Sequence, residues 1–238
     1  MSSVIGYFRE FDLTLFHYIN SFCGQSLALD HIANRLESGQ LKGLLFSATF
    51  GALWFHRGKD QFGKRQTLIV LLIAIVLSLI LARICADLLP FRVRPMFAAD
   101  IGYRAPLFHF DSYFEDWSSF PSDTAALMFV MTTGFWLVSR WCGVAWLCFS
   151  VLVLSARVYF GLHYPGDIIA GALIAMATTI AINNELVRWR IASPILVFEK
   201  RAPAIFYFLL FPFLYEVSTL FAFTRSLRHT VVHLLFGF

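Results

Sequence analysis

From Thr67 to Ala82 the chain runs without a single charged residue, and Thr67 and Ser78 are the only polar side chains in the run. Continued to Leu89, this stretch is long enough to cross a bilayer as a helix, which takes about 20 apolar residues. Lipid offers no partner to backbone N–H and C=O groups, so such a run must satisfy them internally by coiling into a helix. Several further apolar runs follow, and the composition agrees with them. The 238 residues are 58% hydrophobic and only 14% charged, whereas a soluble domain carries roughly 25% charged residues. A water-soluble fold, a disordered chain, a collagen and a disulfide scaffold are all excluded. The expected class is all-α: a polytopic membrane helical bundle of five to six transmembrane helices plus an N-terminal interfacial helix.

Residues 1–36 alternate apolar and polar side chains with helical spacing, Phe8, Phe11, Leu15 and Ile19 against Arg9, Glu10, Asp12 and Asn20. That pattern predicts an amphipathic segment lying at the membrane interface. Residues 37–202 form the expected membrane core, and 203–238 a C-terminal membrane helix and tail. The predicted spans are Gly39 to Phe55, with Lys42 snorkelling, then Thr67 to Leu89, Ser122 to Ser139, Trp141 to Tyr159, Pro165 to Ile182 and Pro203 to Phe223. Cys23, Cys85, Cys142 and Cys148 show neither paired spacing nor a metal motif.

The loops at 57–65, 140 and 184–202 are basic and fall on one side, which the positive-inside rule makes cytoplasmic. Segment 91–121 and the turn at 160–164 then share the outer face. The net charge of +4 suits an anionic membrane surface. Membrane lipids are the expected surroundings, and with no basic face nucleic acid is not an expected partner.

Three clusters meet on that outer face: Arg92-Val93-Arg94-Pro95, Pro121-Ser122-Asp123-Thr124, and Arg157 followed by His163 and Asp167. Arg94 and Arg157 offer planar charged forks that match phosphate oxygens. Ser122 stands where a helix N-cap belongs, and free backbone N–H groups at a helix start attract anions. His163 and Asp167 are four apart, a spacing that lets the carboxylate hold one imidazole nitrogen and leave the other to act. Each residue also has an ordinary reading: an arginine at a span's end anchors it, Pro-Ser caps a helix, and a histidine at a helix start is interfacial. Their coincidence on one face points to a phosphate-handling site.

These motifs resemble the three-part signature of the type 2 phosphatidic acid phosphatase family. The similarity covers about residues 60 to 185 and extends weakly to Asn20–Asp30. Phe-Arg-x-Arg-Pro and Phe-Pro-Ser-Asp look like the branch that dephosphorylates undecaprenyl pyrophosphate. The resemblance implies that His163 is the nucleophile forming a phosphohistidine and that Asp167 orients it. It also implies that Arg94, Arg157, Ser122 and the following amides at Asp123 bind phosphate, without metal or cofactor.

Two positions depart from the pattern. The first motif's leading lysine is replaced by Asp87, and the second motif's final histidine by Thr124. Arg83, one turn before Asp87 on the same helix face, either pairs with it or reaches past it, and Arg92 is the other replacement cation. Thr124 hydrogen-bonds but is a poor general acid. His109, in the outer segment, is the substitute acid considered first, with Asp123, Glu115 and Asp116 behind it. The leading expectation is an integral-membrane lipid pyrophosphate phosphatase acting at the outer face of a bacterial-type inner membrane. A phosphotransferase using the same phosphohistidine and a non-catalytic lipid-diphosphate binding protein are the alternatives.

Overall fold

The computed structural model describes residues 2–110 and 117–218. The elements are α1 (Ser2–Asn20), α2 (Leu27–Glu37), α3 (Gly39–Phe55), α4 (Gln61–Leu88), α5 (Asp123–Val138), α6 (Arg140–Tyr159), α7 (Pro165–Ile182), α8 (Glu185–Val187), α9 (Ser193–Arg201) and α10 (Pro203–Ser218). A single 3-10 turn covers Pro95–Phe97, and a π-helical turn covers Arg188–Ala192 between α8 and α9. Among the described residues the fold is all-α, as the apolar runs require.

Among the described residues three helices, α4, α6 and α7, are long and apolar enough to cross a membrane. Helix α5 and the stretch Pro203–Val217 of α10 are apolar but shorter. Helix α3 keeps the predicted bounds; its 17 residues stand at the lower limit for a crossing and include a charge at Lys42. The predicted sixth span beyond 218, the tail, and Asp111, Glu115 and Asp116 lie outside the described residues.

Local chemistry sets the helix ends. Asp60, in the left-handed region, caps α4 by accepting from the Gly63 N–H at 3.2 Å. Ser122 caps α5 by accepting from the Ala125 N–H at 3.3 Å. Pro165 opens α7, where its missing N–H costs nothing. The Asp167 carboxylate reaches back to accept from the Tyr164 N–H at 2.8 Å.

Helix α5 is the hub, packed against α4, α6 and α7, with most of its side chains buried. Gly171 of α7 makes the closest crossing possible: a Cβ there would lie 2.4 Å from the Ser122 carbonyl oxygen. Thr132 and Ser150 hydroxyls meet at 2.8 Å between α5 and α6, satisfying two buried polar groups. On the far side α3 packs on α10 through Trp54 stacked on Phe206.

Because α4 to α7 alternate in direction, one end of the bundle gathers residues 89–110 and 117–122 and the turn at 160–164. Helices α1 and α2 pack across this same end. Asn20 donates to the carbonyls of Tyr159 and Arg104, at 2.8 and 3.0 Å. Asp30 accepts from the Leu107 N–H at 2.7 Å and the Tyr159 hydroxyl at 2.5 Å. Burial raises the Asp30 pKa, but these donors together with the Gly24 N–H outweigh it and hold the carboxylate below its usual range.

Candidate active site

His163 sits in the α6–α7 turn and is 2% exposed. Its Nδ1 lies 2.8 Å from the Ser119 carbonyl oxygen. A carbonyl only accepts, so Nδ1 carries the proton and Nε2 keeps its lone pair. That Nε2 faces Arg157 Nη2 at 3.2 Å and Arg94 Nη1 at 3.4 Å. Burial, then the charges of Arg157 and Arg94, hold the His163 pKa well below its ordinary value. The imidazole is therefore neutral and nucleophilic through the physiological range. An NMR titration should find His163 still neutral at pH 6; a His163 resonance titrating near 6.5 would contradict this electrostatic reading.

The two arginines are held by unlike partners. Arg94 is buried and donates to the carbonyls of Leu162 and Trp117 at 3.0 and 3.2 Å. Burial and the neighbouring Arg157 bring its pKa down to about 10, so it stays charged. Arg157, at the end of α6, pairs through Nη1 with Glu37 of α2.

Asp167 is fully buried and lies 3.8 Å from His163 Nδ1, beyond hydrogen-bonding reach. The direct partner of Nδ1 is the Ser119 carbonyl, where the i, i+4 spacing pointed to Asp167. Asp167 instead joins the three motifs. Its Oδ1 accepts from Arg92 Nη1 at 2.6 Å, its Oδ2 from the Tyr164 N–H, and its carbonyl from the Ser122 N–H at 3.1 Å.

Arg92 is thus a structural tie. Its Nη2 reaches Asp12 of α1 at 2.6 Å, and its guanidinium lies over the Tyr164 ring at 4.1 Å. Burial works against its charge, but Asp167 and Asp12 outweigh that and raise its pKa. Arg92→Ala strands the buried Asp167 carboxylate and should destabilise the fold by on the order of 3 kcal/mol. Thermal unfolding in detergent would show it, and an unchanged midpoint would count against the tie.

Arg83 pairs with Asp123 of α5 and stacks over Trp117 at 4.4 Å, so it does not serve Asp87, which is exposed. Ser122 and Thr124 are buried at the start of α5. His109 is exposed, just ahead of the undescribed 111–116. Sequence reasoning missed Ser119, Asp12, Glu37 and Lys42. The available signal was the amphipathic N-terminal segment itself, whose carboxylates needed cations that local spacing does not name.

A family model described as PAP2 superfamily matches residues 64–191. The chain is 33% identical over 114 residues to "Putative undecaprenyl-diphosphatase YbjG" of Escherichia coli (strain K12), covering 48% of this chain and 54% of that protein. It is 24% identical over 174 residues to "Bacitracin transport permease protein BcrC" of Bacillus licheniformis, covering 73% of this chain and 79% of that one. The chain thus spans about half the length of the first of these relatives. No solved structure matches. The matched region is more than half of the chain and contains all three motifs around His163, and the protein is an integral membrane member of the PAP2 superfamily.

Proposed function

We propose that this protein hydrolyses a polyprenyl diphosphate of the undecaprenyl type, at the outer face of a bacterial inner membrane, through a phosphohistidine. The observation that carries the reading is the neutral His163 Nε2 set between Arg94 and Arg157, with Nδ1 committed to Ser119. Similarity to YbjG, named as a putative undecaprenyl-diphosphatase, supports the substrate class. Five to six spans hold the site there, with α3, α5 and α10 joining the three long helices.

In the proposed reaction Nε2 attacks the terminal phosphorus in line, and the bond to the bridging oxygen breaks. The lipid monophosphate departs with that electron pair. Water then attacks the phosphohistidine, releasing phosphate and restoring the imidazole. Arg94 and Arg157 neutralise the equatorial oxygens, where transition-state charge spreads. Asp167 acts through the turn: it fixes Tyr164 and the start of α5 rather than binding the ring. Ser122 caps α5 with its oxygen and keeps its own proton to donate to phosphate.

Thr124 decides the substrate. An alkoxide leaving group, whose conjugate acid has a pKa of about 16, needs a proton that threonine does not supply. A departing phosphate monoester has a second pKa of about 6 and leaves without one. The direct assay is phosphate release by the purified protein from undecaprenyl diphosphate, phosphatidate and phosphatidylglycerophosphate. The diphosphate should be the substrate turned over fastest. No release from it would end this reading.

A further inference from the structure

Glu37 and Lys42 lie outside the three motifs, yet Glu37 joins Lys42 to Arg157 of the third. Glu37 ends α2, and Lys42 stands in the first turn of α3. Lys42 was expected to snorkel toward water; instead its side chain is 5% exposed, and that of Glu37 is 18% exposed. Glu37 Oε1 accepts from Arg157 Nη1. Its Oε2 lies 3.6 Å from Lys42 Nζ and has no hydrogen bond among the described residues. The same guanidinium holds His163 Nε2 on its other prong at 3.2 Å. One arginine fork therefore faces the nucleophile on one side and, on the other, a carboxylate that also meets a buried lysine.

The charges around this fork do not balance. Arg157 and Lys42 are two cations that share one anion, Glu37, beside a neutral His163, while Arg94 also feels the charges of Asp123 and Asp167. Buried charge of one sign calls for a further anion. A carboxylate and a phosphate present similar oxygen pairs to a guanidinium, so Glu37 occupies a place that suits phosphate. It can also leave that place. Glu37 lines an open cleft of about 840 Å³ together with His31, Asn34, Arg35, Ser38 and Gln40.

We propose that Lys42 and Arg157 Nη1 form the binding site for the leaving phosphate of a lipid diphosphate, a site that Glu37 fills in the substrate-free protein. The proposal rests on the reading of His163 as the nucleophile for the terminal phosphate. The diphosphate then spans the Arg157 fork, its terminal group at Nη2, Arg94 and His163, its proximal group at Nη1 and Lys42. Glu37 swings into the cleft. Lys42 supplies the cation missing at position 87, where exposed Asp87 offers none. Arg83 is held by Asp123 and Trp117. Lys42 also answers the loss of an acid at Thr124, since a fixed positive charge stabilises a departing phosphate that receives no proton.

The test is calorimetric titration of the purified full-length protein in detergent with imidodiphosphate, which resists hydrolysis, and with inorganic phosphate. Wild type should bind imidodiphosphate more tightly than phosphate. Lys42→Met should weaken imidodiphosphate by about 10–100-fold, the worth of one charged hydrogen bond, and narrow its preference over phosphate. Lys42→Arg should restore most of it. Glu37→Gln should bind imidodiphosphate at least as tightly as wild type, because the competing charge is gone, and it carries the test alone should Lys42→Met not fold. A folded Lys42→Met with the full preference, or a folded Glu37→Gln that binds imidodiphosphate more weakly than wild type, overturns the proposal. Failure of the functional reading shows separately, as wild type that releases no phosphate from any lipid diphosphate whatever the titrations give.

Discussion

His163→Ala is expected to lower phosphate release from a polyprenyl diphosphate by about 10⁴-fold or more, the usual consequence of removing a nucleophile while the rest of the site remains. The structure explains why nothing nearby replaces it. Arg94 and Arg157 are permanent cations and do not attack phosphorus. The Asp167 carboxylate is committed to Arg92 and to the Tyr164 amide. The variant should stay folded, because the ring's partners keep other bonds, Arg94 to the Leu162 and Trp117 carbonyls and Arg157 to Glu37, while the Asp167 ties persist. Equal thermal midpoints alongside lost turnover separate a chemical role from a structural one. A folded His163→Ala that retains substantial activity would remove the nucleophile from the account.

The second large effect is selectivity between leaving groups. Wild type should favour a lipid diphosphate over the matching lipid monophosphate by about 10²–10⁴-fold, the range a general acid ordinarily contributes. Thr124→His should recover much of the monophosphate rate and change the diphosphate rate far less, since only the alkoxide needs the proton. Thr124 is buried at the start of α5, so the larger ring must be accommodated there, and the variant's fold has to be checked by its unfolding midpoint. Equal wild-type turnover of monophosphate and diphosphate would sink the leaving-group argument even if Thr124→His were active.

Much of the bundle was legible because apolar runs end at chemically distinct residues. Helix α7 begins at Pro165 and ends at Ile182, as predicted, and α6 differs by one residue at its start. The convergence of Arg94, Arg157 and His163 was legible too, since it follows from the alternation of α4 to α7. What stayed hidden depends on pairs far apart in sequence or on backbone atoms. The partner of His163 Nδ1 is a carbonyl, and any residue type could supply it. Arg92 reads as a phosphate ligand until Asp12, 80 positions away, is seen to hold it. Arg83 has an acidic residue one turn ahead, yet it crosses to Asp123 on another helix. Lys42 in an apolar run looks like a snorkelling anchor because Glu37 precedes the helix break rather than sharing its face.

In the proposed reaction a phosphoryl group passes through His163. Rapid quenching of the wild-type protein during turnover of a polyprenyl diphosphate labelled in its terminal phosphate tests this most directly. An acid-labile, alkali-stable label should appear on the protein, map to His163 and be absent from His163→Ala. Steady release of labelled phosphate without label at His163 would contradict it.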